Sequence, residues 1–295
     1  MQPKELPPRW FYDERGSELF EEITRLPEYY QTRTEERILR DNADQILDAV
    51  RPASLVELGS GSSTKTRLLI ASGIRSGQLR RFVPFDVSET IVQSASRELL
   101  QAFPGLTIHA VIGDFSAHLD RIPRFGRQLI IFLGSTIGNF QTEARCQFLR
   151  SVRHILKPED AFLLGVDLVK DPAELVAAYD DAAGVTADFN LNVLRVINRE
   201  LGANFDLGGF RHVARYSEPD CRIEMHLQSQ RRQTVDIPAA GLRVDFAEGE
   251  LMLTEISVKF THGRLEECFA QAGLRMDHWF TDTRERFGVA LAVPA

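Results

Sequence analysis

Two acids and a glycine turn follow two apolar segments in the first third of the chain. The first segment, 54–58, leads into the turn Glu57-Leu58-Gly59-Ser60-Gly61, and the second, 82–86, ends in Asp86. Glycine lets the backbone turn tightly and approach a ligand with no Cβ in the way. An acid at the end of the neighbouring strand can accept hydrogen bonds from ribose hydroxyls. This arrangement is typical of a nucleoside-binding α/β domain.

Thr64 distinguishes between the nucleotide-binding patterns that compete for this segment. A dinucleotide-binding G-x-G-x-x-G motif needs glycine at this position, and so does a phosphate-binding P-loop that continues into Lys65-Thr66. A β-branched threonine resists the backbone conformation that glycine adopts around phosphate. The pattern that remains, acid-x-G-x-G with a later acid, is typical of S-adenosylmethionine-dependent methyltransferases. A turn that caps a helix and binds no ligand is a further interpretation, which the second acid disfavours.

The composition favours a globular protein that acts on a small molecule. The chain has 295 residues, of which 43% are hydrophobic, and a formal net charge of −7. This charge argues against nucleic acid or an anionic membrane surface as the main partner. No apolar run approaches the ~20 residues that span a bilayer, and the first ten residues lack the apolar core of a signal peptide. Cys146, Cys221 and Cys268 are scattered, as are the seven histidines. We therefore expect a cytoplasmic protein without disulfides or metal. We also expect it to be a monomer.

Alternating helix and strand patterns between 34 and 169 predict a mainly parallel, doubly wound sheet of the Rossmann-like α/β class. The predicted strands of this part are 54–58, 82–86, 106–112, 128–133 and 162–169. The predicted helices are 34–50, one that begins at Ser88, and 142–156. A helix that ends at Gly273 and two strands that include Trp279 and 287–293 complete the same sheet.

A different pattern between 170 and 259 predicts a second, α+β domain. Residues 173–203 have helical periodicity, and 210–260 alternate as β-strands do. We therefore expect a methyltransferase-type domain formed by 34–169 with 260–295. A substrate-binding domain would consist of the N-terminal segment 1–33 and the insertion 170–259.

Two segments of the insertion have the pattern of β-strands, in which residues two apart lie on the same face. Ile223, Met225 and Leu227 are expected to share one strand face. Leu253, Glu255 and Ser257 are expected to share another.

Six segments spread over the chain are similar to one known family. They are WFYDERGSELFEEITRLPEYYQTRTE at 10–35, LVELGSGSSTKT, FVPFDVS, FLGSTIGNF, LVKDPAELVAAYDDAAGVTADFN and LTEISVKF. Over essentially its whole length the chain resembles the histidine-specific N-alpha-methyltransferases of ergothioneine biosynthesis. That family joins a Rossmann-like methyltransferase domain to a second domain that supplies much of the amino-acid pocket. The resemblance implies S-adenosylmethionine as co-substrate, L-histidine as substrate and Nα-trimethylhistidine (hercynine) as product.

The resemblance implies a set of contacts to S-adenosylmethionine. The positions are Gly59, Lys65, Asp86, Asp114, Phe115 and, at the border with the amino-acid site, Tyr12. Gly59 would admit the methionine part of the co-substrate, Asp86 would hold the ribose, and Lys65 would pair with the carboxylate. Asp114 would accept a hydrogen bond from the adenine amino group while Phe115 stacks on the ring.

The resemblance also implies an amino-acid site. Its positions are Tyr29, Asn139, Tyr179, Met225, Glu255 and Ser257. Glu255 and Ser257 would hold the imidazole beside Met225, whose soft side chain suits a ring, and Tyr179 would donate to the substrate carboxylate. Asn139, whose amide both donates and accepts, and Tyr12 are the candidate catalytic residues. No general base can be identified from the residues.

Three other functions stay open on the sequence. A P-loop nucleotidase would hydrolyse Mg·ATP, and Thr64 disfavours it. A non-catalytic sensor would bind S-adenosylmethionine without turnover, which the full amino-acid site disfavours. A methyltransferase of this class could also act on another amino acid or amine.

Overall fold

The computed structural model describes residues 4–115 and 117–295. The β-strands in this part of the chain are β1 (Lys4–Glu5), β2 (Ser54–Leu58), β3 (Arg81–Asp86), β4 (Thr107–Ile108), β5 (Val111–Ile112), β6 (Gln128–Phe132), β7 (Ala161–Asp167), β8 (Phe210–Ser217), β9 (Arg222–Ser229), β10 (Gln233–Ile237), β11 (Leu242–Phe246), β12 (Leu251–Val258), β13 (Leu274–Thr281) and β14 (Phe287–Pro294). The α-helices are α1 (Glu14–Ile23), α2 (Gln31–Val50), α3 (Thr66–Arg75), α4 (Glu89–Ala102), α5 (Thr142–Ile155), α6 (Pro172–Ala177), α7 (Val185–Leu201) and α8 (His262–Gln271).

The chain forms two compact units. The first unit consists of Met1–Thr32 and Val169–Lys259, and the second unit consists of Arg33–Leu168 and Phe260–Ala295. Each unit has a sheet and a hydrophobic core of its own.

The second unit is built on a sheet with the strand order β13-β14-β7-β6-β2-β3-β4, in which β5 also pairs with β3. The strands β7, β6, β2 and β3 run parallel to one another, whereas β14 and β13 are antiparallel additions. This arrangement confirms the predicted Rossmann-like α/β class. It also brings the carboxyl ends of β2, β3 and β6 to one edge of the sheet, where such folds bind their ligands.

The central strands of this sheet are buried along their whole length. Every residue of β2, β6 and β7 is buried, because helices cover both faces of a parallel sheet and no solvent-facing side remains. This burial explains why these strands are predominantly apolar in the sequence. Leu55, Leu129 and Leu163 are fully buried members of the core on this sheet.

The predicted strand 106–112 was wrong in one respect. The structure has two short strands there, β4 and β5, and both pair with β3. The interruption between them lies beside Pro84, which has no N–H to donate to a continuous ladder. β4 and β5 are therefore two short edge segments.

The first unit is an α+β structure, as predicted. Its main sheet has the strand order β1-β12-β9-β8, and β10 and β11 form a separate two-stranded sheet. α1 packs against α7, and the Phe11 and Phe189 rings stack with their centroids 4.6 Å apart. The alternation in β9 is confirmed, since Ile223, Met225 and Leu227 are buried in this core.

A β-bulge in β12 alters the predicted face of one residue. Leu253 pairs with His226, but the next pair is Glu255 with Met225, so Thr254 is an extra residue in the ladder. The Thr254 hydroxyl donates to the Met225 carbonyl at 2.9 Å. Because adjacent residues of β9 point to opposite faces, Leu253 lies on the face opposite to Glu255. The prediction that Leu253 shares a face with Glu255 and Ser257 was wrong.

Membrane-spanning helices and metal-binding clusters are both absent from residues 4–115 and 117–295. No helix in this part of the chain is long and apolar enough to cross a membrane. No cluster of three or more His, Cys, Asp or Glu side chains in it could hold a metal ion.

Candidate functional site

The glycine turn after β2 is held against the end of β3. Gly59 and Gly61 have φ values of +65° and +48°, which glycine adopts without strain. The Gly59 N–H donates to the Phe85 carbonyl at 2.8 Å. The Asp86 carboxylate accepts hydrogen bonds from the N–H groups of Gly61 and Ser88, each at 3.0 Å. The predicted ribose acid and the glycine turn are therefore brought together.

Glu57 fixes the same turn from the buried side. Its carboxyl accepts a 2.8 Å hydrogen bond from the Ser63 hydroxyl and another from the Thr66 hydroxyl at the start of α3. Burial raises the pKa of Glu57 to about 7, although the hydrogen bonds from Thr66 and Ser63 act in the opposite direction. The acid of the acid-x-G-x-G pattern thus shapes the loop from within.

Lys65 is paired with an acid that the sequence analysis did not identify. The Lys65 ammonium forms an ion pair with the fully buried carboxylate of Glu35. The same carboxylate accepts the Gly134 N–H at 2.9 and 3.0 Å. Its oxygen also occupies the place where a Cβ on Gly165 would lie, 1.9 Å away. Glu35 therefore fixes the predicted contact to the co-substrate carboxylate and the turn after β6.

Phe115 lies close to the glycine turn and inside an aromatic cluster. Its ring centroid is 5.5 Å from that of Phe132 and 5.9 Å from those of Phe140 and Phe148. A Cβ built on Gly59 would lie 3.9 Å from the Phe115 ring. Asp114 is exposed, and its backbone N–H donates to His118 Nδ1 at 3.1 Å. This edge of the second unit offers an aromatic face, two acids and a cation next to an open turn.

Asn139 lies in the second unit as well. It ends the short 3₁₀ turn Thr136–Asn139 that follows β6. Ser135, in the left-handed conformation with φ +58°, accepts the Asp167 N–H on its hydroxyl oxygen at 2.9 Å. The turn is therefore tied to the end of β7. The other residues predicted for the amino-acid site belong to the first unit.

Ser257, Tyr179 and Lys259 form a hydrogen-bonded cluster in the first unit. The Tyr179 hydroxyl donates to Ser257 Oγ at 2.8 Å, and the Lys259 ammonium donates to Tyr179 Oη at 2.9 Å and to Ser257 Oγ at 2.8 Å. His212 Nε2 lies 2.7 Å from the Tyr179 carbonyl, and burial lowers its pKa. The Tyr179 hydroxyl is thus engaged within the protein, whereas the sequence analysis expected it to donate to a substrate carboxylate.

Glu255 lies directly opposite Met225 in the pairing of β12 with β9. Its side chain points to the same face as Ser257, and the residue is only 8% exposed. No hydrogen-bond donor among residues 4–115 and 117–295 meets its carboxyl. Burial raises the pKa of Glu255 to about 7, and the charge of Lys259 acts in the opposite direction. A buried carboxyl without a protein donor is suited to bind a polar group of a ligand.

Tyr12 lies near this carboxyl and is 50% exposed. Its ring packs edge-on against Phe20 and Phe189, both with centroids 5.8 Å away. Burial of the hydroxyl raises the pKa of Tyr12 well above its ordinary value, and Glu255 and Tyr29 raise it further. Tyr12 therefore stays a neutral hydroxyl at physiological pH and is not a preformed phenolate base.

Lys259 and Glu35 are the two site residues that the sequence analysis missed. A signal for Lys259 was present, because Glu255, Ser257 and Lys259 occupy alternate positions at the end of one strand pattern. Glu35 ends the family segment 10–35, but its role was not indicated there, because its partners Lys65 and Gly134 are distant in the sequence.

The fold of the chain is that of S-adenosylmethionine-dependent methyltransferases. A solved structure of this class is the Burkholderia thailandensis 1,6-didemethyltoxoflavin-N1-methyltransferase with bound S-adenosylhomocysteine. It superposes with a TM-score of 0.51 at 12% identity and covers 100% of this chain and 93% of its own. This likeness is to the fold of the class.

The chain belongs to the family of S-adenosylmethionine-dependent, histidine-specific methyltransferases, whose model matches residues 1–294. A histidine N-alpha-methyltransferase of Mycolicibacterium smegmatis is 53% identical over 99% of this chain and 91% of its own length. Ergothioneine biosynthesis protein 1 of Neurospora crassa is 31% identical over 94% of this chain and 32% of its own length. These relationships confirm the resemblance inferred from the motifs.

Proposed function

We propose that this enzyme transfers three methyl groups from S-adenosylmethionine to the α-amino nitrogen of L-histidine and forms hercynine, as in ergothioneine biosynthesis. One observation on the structure supports histidine as the substrate. The buried Glu255 carboxyl, which meets no hydrogen-bond donor among residues 4–115 and 117–295, shares a strand face with the Ser257 hydroxyl. An acceptor and a hydroxyl side by side suit an imidazole, which has two ring nitrogens to satisfy.

The second unit is proposed to bind S-adenosylmethionine. Asp86, already oriented by two backbone N–H groups, would accept the ribose hydroxyls. Lys65, held by Glu35, would pair with the co-substrate carboxylate. Phe115 and Asp114 would contact the adenine, and the open side of the Gly59 turn would admit the methionine part.

The first unit is proposed to bind the histidine side chain. Glu255 would accept a hydrogen bond from the ring N–H, Ser257 would bond to the other ring nitrogen, and Met225 would lie against the ring. Tyr29, which is buried, would form a wall of this site. Asn139 would contact the amino-acid group of the substrate with its amide, which both donates and accepts.

The reaction is a displacement at the methyl carbon. The neutral α-amino nitrogen forms a bond to the methyl group, the carbon–sulfur bond breaks, and its electron pair stays on sulfur as S-adenosylhomocysteine leaves. The nitrogen loses a proton to water before each attack. Tyr12, as a neutral hydroxyl, would orient the amine in the first two transfers by accepting one of its hydrogens. Alignment of nitrogen, carbon and sulfur supplies most of the rate, because orientation is worth ~7–11 kcal/mol.

The test is mass spectrometry of reactions that contain the purified enzyme, S-adenosylmethionine and one of the twenty amino acids. Histidine should gain three methyl groups, all on the α-nitrogen by fragmentation, with three equivalents of S-adenosylhomocysteine released. Methylation of a ring nitrogen, or preference for another amino acid, would contradict the proposal. Light scattering of the same sample tests whether the enzyme, which we also propose to be cytoplasmic, is a monomer, as we propose.

A further inference from the structure

Lys259 follows β12 and is fully buried, which is rare for a lysine. Its ammonium donates to Tyr179 Oη and Ser257 Oγ and lies 4.6 Å from the centre of the Tyr179 ring. The proposed function gives this residue no role. Its position two residues after Ser257 nevertheless places a permanent hydrogen-bond donor behind the histidine site.

The hydrogen bonds of Ser257 determine the direction of its hydroxyl. A serine oxygen can accept two hydrogen bonds and donate one. Ser257 Oγ accepts one from Tyr179 at 2.8 Å and one from Lys259 at 2.8 Å, so both acceptor positions are filled. An ammonium can only donate. The Ser257 hydrogen therefore cannot point at Lys259 and is directed away from it. No acceptor in residues 4–115 and 117–295 meets that hydrogen.

Ser257 and Glu255 thus present opposite hydrogen-bonding characters on one strand face. Glu255 offers an acceptor, and Ser257 offers a donor. A neutral imidazole has one N–H and one bare nitrogen, which match the two residues. An imidazolium ion would direct a second N–H at the Ser257 hydrogen, and a ring without a bare nitrogen would leave that hydrogen unpaired.

We propose that Lys259 is a specificity-determining positioning residue, which fixes the Ser257 hydroxyl as a donor to the bare ring nitrogen of neutral histidine. The inference rests on the proposed function and deepens it, since it names the form of the ring that is bound and the residue that sets it. Lys259 acts through Ser257 and does not itself contact the ring.

The experiment compares L-histidine with the 2- and 3-isomers of L-pyrrolylalanine, whose ring has an N–H but no bare nitrogen. The specificity constant kcat/KM is measured for each, or the inhibition constant where no methylation occurs. Wild-type enzyme should prefer histidine, and Lys259→Met should reduce this preference about tenfold, since a buried donor loses its enforced direction. The change should appear in KM for histidine with little change in kcat. An unchanged preference in a folded variant would overturn the inference.

A double-mutant cycle with Ser257→Ala separates this role from simple packing. Without the Ser257 hydroxyl, Lys259→Met should cause no further loss of preference for histidine, because coupled residues are non-additive. Two independent, additive losses would contradict the inference. Ser257→Ala alone tests the hydroxyl direction if Lys259→Met does not fold. It should weaken histidine about tenfold and leave pyrrolylalanine unaffected, and equal losses would overturn the inference.

Lys170→Met is the matched control. Lys170 donates to the Tyr30 hydroxyl at 2.6 Å and lies 4.7 Å from that ring centre, so it repeats the lysine–tyrosine contact without a link to Ser257. Its substitution should leave the preference for histidine unchanged. Affinity for S-adenosylhomocysteine and the melting temperature report whether each variant is folded. Wild-type enzyme that does not methylate histidine would contradict the proposed function, whereas an active wild type with an unchanged Lys259→Met preference contradicts this inference alone.

Discussion

Glu57 and Glu255 are buried carboxyl groups whose pKa values burial raises to about 7, but their surroundings differ. The Glu57 carboxyl accepts hydrogen bonds from Ser63 and Thr66, whereas no donor in the described part of the chain meets Glu255. The first group satisfies its own burial and shapes a loop. The second can be satisfied by a ligand, which is the physical distinction between a structural acid and a binding acid.

Asp86→Ala should weaken S-adenosylmethionine binding about tenfold or more and leave histidine affinity nearly unchanged. The substitution removes hydrogen bonds from a charged group, each worth ~1.5–3 kcal/mol. Calorimetry with both ligands measures this difference. Asp282→Ala is the control in the same unit, because Asp282 also accepts backbone N–H groups, those of Arg286 and Phe287, but is not assigned to the site. Unchanged co-substrate affinity in folded Asp86→Ala would refute the assignment.

Glu255→Ala combined with Met225→Val should lose most activity on histidine and gain some on tryptophan or phenylalanine. The pair removes the acceptor for the ring and opens volume beside it, and a polar site discriminates by ~10⁴-fold against analogues that leave its groups unpaired. The measurement is the ratio of kcat/KM for histidine and tryptophan. Glu224→Ala, an acid on the opposite face of β9 that pairs with Arg222, is the control. If the ratio is the same in wild type and double variant, these residues do not bind the side chain.

At the scale of the secondary-structure elements, Gly165 in β7 makes room for Glu35, the acid that forms the ion pair with Lys65. Gly165→Ala should lower affinity for S-adenosylmethionine about tenfold, because the new Cβ would lie 1.9 Å from a Glu35 oxygen. Displacement of Glu35 would release both Lys65 and the Gly134 turn. Gly263→Ala in α8 meets no atom within 4 Å and should leave affinity unchanged. Equal affinities in both folded variants would show that Glu35 does not support the co-substrate site.

The turn after β2 gives a pH dependence of stability. Glu57 has an ordinary pKa of 4.5 and a folded pKa of about 7, so the folded state binds more protons between these pH values. The free energy of unfolding should therefore fall as pH rises from about 4.5 to 7, by up to roughly 3 kcal/mol at about 1.4 kcal/mol per pKa unit. Urea unfolding at pH 5 and 7 measures the change. Glu57→Gln should reduce it and exposed Glu159→Gln should not; an equal change in both would contradict the assignment.

Buried parallel strands could be predicted well from the sequence, and interruptions within strands could not. β2 and β6 were identified closely because burial on both faces favours apolar residues at most positions. The division of β4 from β5 depends on Pro84 in a neighbouring strand, which no pattern within 106–112 indicates. The candidate site residues were taken from the family motifs, and Glu35 is the last residue of one of them. Its role was nevertheless not predicted, because the fold brings its partners Lys65 and Gly134 to it.

At the scale of the whole molecule, the two units are proposed to bind different ligands. Hydrogen exchange should show this, because ligands slow the exchange of the segments that they order. S-adenosylhomocysteine should protect the 59–64 turn and residues 86–88 in the second unit. L-histidine, added with S-adenosylhomocysteine so that no turnover occurs, should further protect 255–259 in the first unit. Protection by histidine confined to the second unit would contradict the division of roles.

The extra residue in β12 has a consequence for how relatives of this chain are aligned. A relative one residue shorter at position 254 would still place its acid opposite Met225 and its hydroxyl opposite Ile223, because the pairing on both sides of the bulge would become continuous. A gap placed between Glu255 and Ser257 would instead turn the hydroxyl to the opposite face. A one-residue length difference in this strand therefore belongs at Thr254, and the counterparts of the proposed substrate residues in a relative are found by counting from the Glu255 side.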